Sequence, residues 1–107
     1  MRALAVNLAA EARDLTILEI LAPAARWFRA PRAERRQCDF DSSLTVPMDL
    51  AAAGVSSRIS RLPHDGWRFE VDLGNKWLRG EGATWCGAVA DVHLTLTNRV
   101  EGRRHPH

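Results

Sequence analysis

The chain has no tyrosine, two cysteines and one lysine, which stands against fourteen arginines. That imbalance, together with the missing tyrosine, reflects a GC-rich coding bias more readily than any binding chemistry. Neither Cys38 nor Cys86 has a second cysteine or a histidine at ligand spacing, which argues against a zinc site. No stretch approaches ~18 consecutive apolar residues, so no membrane span is expected. Met1-Arg2-Ala3-Leu4 could begin a signal peptide, but Asn7, Glu11, Arg13 and Asp14 interrupt the apolar run early. A cytoplasmic protein with two free thiols is the expectation. No Ser, His and acid arrangement, no glycine-rich phosphate loop and no spaced acidic pair stands out. An enzyme is therefore not expected, and neither a catalytic residue nor a cofactor is assigned. There is no internal repeat and no low-complexity tract.

What is present suffices for one domain: 107 residues, 46% of them hydrophobic, with four tryptophans for a core. The net charge of +2 is unevenly spread. Residues 26–36 hold five arginines (26, 29, 32, 35 and 36) against Glu34, and residues 99–104 hold three (99, 103 and 104) against Glu101. The body is then mildly negative with two basic appendages, which is not a uniform nucleic-acid surface.

The most organised stretch is residues 66–96. Trp67-Arg68-Phe69-Glu70-Val71-Asp72-Leu73 alternates apolar and charged residues, the period of a strand wetted on one face. Gly74-Asn75 supplies a two-residue hairpin turn, and residues 76–82 return as the next strand. Thr84 opens a helix in which Trp85, Ala88, Val89, Val92 and Leu96 form a stripe directed at the apolar hairpin face.

Upstream, residues 2–12 predict a short amphipathic helix. Asp14 is placed as the cap or first-turn acid of a second helix bearing Leu15, Ile17, Leu18 and Leu21, ending near Pro23. Residues 26–37 form a basic connector, either a solvated loop or a docking segment for an acidic partner with Trp27 and Phe28 as anchors. Ser42-Ser43 caps a short helix over 44–53, with Pro47 in its first turn and Gly54 at its stop. Residues 55–62 predict a strand with Val55, Ser57 and Ile59 on one face, and residues 63–66 a turn. The expected fold is α+β in the order α-α-β-β-β-α: an antiparallel three-stranded meander with the last helix packed on it, over residues 1–98. Residues 99–107 are expected to be a flexible basic tail.

The run Phe40-Asp41-Ser42-Ser43-Leu44-Thr45-Val46-Pro47-Met48-Asp49-Leu50-Ala51-Ala52-Ala53-Gly54 resembles a segment of the phage ABA sandwich domain family. Asp65-Gly66-Trp67, Gly80-Glu81-Gly82-Ala83-Thr84 and the residues from Arg13 to Leu21 also match, so the resemblance spans residues 13–96. The chain departs from the pattern at Trp85, where the family often has proline, and in carrying Asp91 and His93 in its final helix. The resemblance implies a fold and a phage or prophage setting. It brings no reaction and no site residues.

Two surfaces are candidates. The outer sheet face gathers Arg58, Arg68 and Arg79 beside Trp77, which suits a phosphorylated or planar ligand or a protein partner. The same residues with Glu70, Asp72 and Glu81 could equally make a salt-bridged ladder. On the last helix Cys86, Ala90 and Leu94 form a second apolar stripe, either packed on the N-terminal helices or serving as a homodimer seam. The expected role is a non-enzymatic phage accessory protein that binds a host protein or small ligand, counteraction of host defence included. The alternatives are a structural phage component and a nucleic-acid module. The strand-turn-strand-Gly-x-Gly-helix order resembles the end of a double-stranded RNA-binding domain, but Ala83-Thr84-Trp85-Cys86-Gly87 lacks the basic cluster such domains present to phosphates.

Overall fold

The structure is a computed structural model that describes the backbone of residues 2–29 and 45–104, with side chains at 10–29 and 45–102. Its elements run α1 (Arg2–Arg29), α2 (Val46–Ala52), β1 (Ser57–Arg61), β2 (Trp67–Asp72), β3 (Trp77–Gly82) and α3 (Trp85–Arg104). This is the expected α+β order, and the three strands form an antiparallel sheet in the order β1-β2-β3. The Ser42-Ser43 cap, Cys38, His105, His107 and most of the basic connector lie outside the described residues.

Both turns follow from their residues. Leu73 N–H donates to the Lys76 carbonyl at 2.8 Å, so Gly74-Asn75 is a two-residue loop. Gly74 takes φ +96° there, the positive first position of a type II′ hairpin turn. In the other hairpin Leu62 N–H donates to the Gly66 carbonyl at 2.9 Å, and Asp65 supplies a left-handed φ of 60°. The register sets Val71 opposite Ser57 and Leu78, and Phe69 opposite Ile59 and Gly80. That parity turns Phe69 and Val71 into a fully buried core with Val89 and Val92, while Trp67 is only half-buried at its margin. Ile59 shares the inner face but lies 46% exposed, because α3 packs on β2 and β3 rather than on β1.

The start of α3 is capped as its sequence demands. Thr84 Oγ1 accepts the Gly87 N–H at 3.0 Å, and the Thr84 carbonyl accepts that of Ala88 at 3.0 Å. The helix continues beyond the expected boundary. Residues 99–104 are its last turns and not a loose tail, because Val100 extends the Leu96 stripe into the core at 4% exposure.

The N-terminal region also differs from expectation. A single helix replaces two, running through Asp14 and past Pro23. Asp14 lies mid-helix at 4% exposure, not at a cap. Proline inside a helix costs ~3 kcal/mol. Here the turns beyond it are held by packing on α3, which buries Ala24 and Ala25. Arg26 to Arg29, expected in the connector, therefore belong to α1. α2 begins with Pro47 in its first turn and stops at Gly54, whose φ is +79°.

Candidate functional site

No described element covers the outer sheet face. α1 packs on α3 and α2, and α3 packs on the inner face, so no described helix lies across the outer one. Strand parity delivers Arg58 from β1, Arg68, Glu70 and Asp72 from β2, and Trp77, Arg79 and Glu81 from β3 to this face. All four expected ligand residues, Arg58, Arg68, Trp77 and Arg79, thus share one surface.

The arginines are not equivalent. Glu70 stands between Arg58 and Arg79 in the register, yet its Oε2 pairs with Arg58 Nη2, at 3.6 Å. Arg58 also reaches across β2, placing Cζ 3.8 Å from the centre of the Trp77 ring. Arg68 Nη2 lies 3.9 Å from Glu81 Oε1, and its buried Nε has no hydrogen-bond partner among the described residues. Asp72 is committed to the hairpin turn, its Oδ1 accepting the Gly74 N–H at 2.7 Å. Arg79 is exposed and makes no ion pair with any described residue. The salt-bridged ladder is thus present on this face, and Arg79 stands outside it. Pairs of this kind stabilise by only ~0.2–1 kcal/mol each, so they can yield to a stronger anion.

Elsewhere a cleft of about 330 Å³ lies where the end of α1 meets α3. Its walls include Phe28 and Arg29 from α1 and Gly87, Ala90, Asp91 and Leu94 from α3. Gly87 leaves room there for the Phe28 ring, which a Cβ would approach to 3.2 Å. The helix packing settles most of the second apolar stripe: Cys86 and Ala90 are buried within the chain, and only Leu94, at 48%, is exposed. Cys86 and Ala90 are thus corrected from a seam to intrachain packing, because α1 runs along α3. The Cys86 side chain is buried.

At the rim of this contact the Arg29 guanidinium donates to His93 Nδ1 at 3.4 Å. Burial, followed by the positive charges of Arg29 and Arg26, holds the His93 pKa below its usual 6.5 and keeps the ring neutral. The pairing spans 64 positions and depends on helix docking, so no local pattern announced it. Arg61 over Trp67, at 4.4 Å, likewise depends on strand pairing and has no local signature.

Among the described residues no group of three or more His, Cys, Asp or Glu side chains could hold a metal ion. No described helix is long and apolar enough to cross a membrane. No family model matches this chain, and no curated protein or solved structure is significantly similar to it.

Proposed function

We propose that the protein is a non-enzymatic, cytoplasmic binding protein whose outer sheet face takes an anionic ligand beside a planar group. The observation that supports this reading is the exposed Arg79, free of any ion pair among the described residues, two positions along β3 from the exposed Trp77 ring. A guanidinium offers a bidentate fork to phosphate or carboxylate, and the indole offers a stacking surface. Arg58, already on the Trp77 ring, would close the other side of a small phosphorylated ligand or of the same chemistry on a host protein. The residue pattern shared with phage ABA sandwich proteins supports a phage or prophage setting for such an accessory role.

Titration of the labelled protein with AMP, which joins a phosphate to a planar base, tests this. The amide signals of residues 77–81 and the Trp77 indole signal are expected to shift together, and Arg79→Ala to abolish the effect with the fold intact. Unmoved signals at millimolar AMP would reject the proposal.

A further inference from the structure

β1 and β3 are the two edges of the sheet, and their exposed backbones are treated differently. Opposed residues in an antiparallel ladder alternate between hydrogen-bonded and non-hydrogen-bonded pairs. Asp72 N–H donates to the Ser56 carbonyl at 3.0 Å, and Leu62 N–H to the Gly66 carbonyl at 2.9 Å. These two bonds fix the phase: Arg58 and Ser60 turn their backbone groups toward β2, whereas Ser57, Ile59 and Arg61 turn theirs outward. On β3 the same phase leaves the Glu81 N–H facing out, and Asp91 Oδ2 accepts it at 2.9 Å. Among the described residues no side chain guards β1 in this way.

Charged side chains commonly protect an edge strand. β1 has two, and both lean away from the edge over their own sheet. Arg58 lies over Trp77 on the outer face, and Arg61 lies over Trp67 with Cζ 4.4 Å from the ring centre. Among the described residues, what remains along the edge is unpaired backbone, two serines and Ile59, 46% exposed.

We propose that this edge is a homodimer seam, two copies of β1 pairing antiparallel about a twofold axis at Ile59 into one continuous sheet. In that register Ile59 meets Ile59, Ser57 meets Arg61 and Arg58 meets Ser60 of the second copy. The outward-facing residues 57, 59 and 61 then meet only one another, so every pair they form is a hydrogen-bonded one. No like charges stand directly opposite, and the exposed Ile59 gains an apolar neighbour across an isologous contact. α3 leaves the inner face of β1 uncovered, and a groove of about 550 Å³ between α2 and Ser57 gives room where Arg61 of the second copy arrives. The seam uses neither Trp77 nor Arg79, so it stands or falls apart from the ligand reading.

Light scattering on the full chain across the micromolar range is expected to show a two-chain mass. Ile59→Lys sets like charges opposite each other on the axis and is expected to weaken self-association by roughly tenfold or more, while Leu94→Glu leaves it unchanged. Amide exchange on the wild type provides a second readout that needs no variant. Arg58 and Ser60 should be protected at every concentration, and Ser57, Ile59 and Arg61 only in the dimer. A one-chain mass throughout overturns the proposal. So does a dimer in which the three outward amides still exchange freely.

Discussion

Gly80 of β3 lies beneath Val92 of α3 so closely that a Cβ built on it would stand 2.6 Å from Val92 Cγ2. The same Cβ would come within 2.7 Å of the Ala88 carbonyl oxygen and the Val92 nitrogen. Backbone cannot swing aside as a side chain can, so the helix would have to lift off the strand. Gly80→Ala is expected to cost about 1–3 kcal/mol, the usual range for overpacking a core. Chemical denaturation of the two proteins measures it.

Val71 is fully buried at the centre of the same interface, between Phe69 in β2 and Leu73 just beyond the strand's end. An aspartate there would bring a charge into an apolar site with no partner provided for it. Val71→Asp is expected to abolish the cooperative thermal transition. A midpoint within a degree or two of the wild type would mean that the strand faces the other way.

Arg13 ties α1 to the far hairpin by donating from Nη1 to the Leu73 carbonyl at 2.8 Å. The contact also crowds Gly74, where a Cβ would collide with the guanidinium. Arg13→Ala is expected to lower stability by about 1–1.5 kcal/mol, read as a shift in the urea midpoint with unchanged slope.

His93 should make stability depend on pH. Its folded pKa is held below 6.5 by burial and by Arg29 and Arg26, so the unfolded chain binds the proton more readily. The stabilisation is complete above the unfolded value near 6.5 and is lost as the pH falls from there toward the folded value. His93→Gln, which cannot take the proton, is expected to flatten this part of the profile. Melting temperatures of both proteins between neutral pH and about pH 5 provide the comparison.

Binding to a random DNA duplex is expected to be weak and to vanish at moderate salt, since the basic residues are concentrated in two short segments. Tight binding at physiological salt that survives neutralisation of Arg32, Arg35, Arg36, Arg99, Arg103 and Arg104 would overturn this.

The elements whose cause is local were legible in their own residues. Alternation over residues 67–73 settled which side chains face the core, because a strand has a strict period of two. Gly74-Asn75 set the hairpin, Thr84 capped the last helix, and Pro47 and Gly54 bounded α2, each through the conformation of a few neighbouring residues. The grouping of Arg58, Arg68, Trp77 and Arg79 on one face followed from the same parity. Tertiary structure decided the rest. Pro23 would end an isolated helix, but docking against α3 carries α1 through it to Arg29. The same docking buries Cys86 and Ala90, which the stripe alone could equally have assigned to a partner. Which arginine takes Glu70, and which pairs with no described residue, depends on side chains meeting across three strands. Such long-range choices are made by packing, whose free energy exceeds local preference and leaves no periodic mark in the chain.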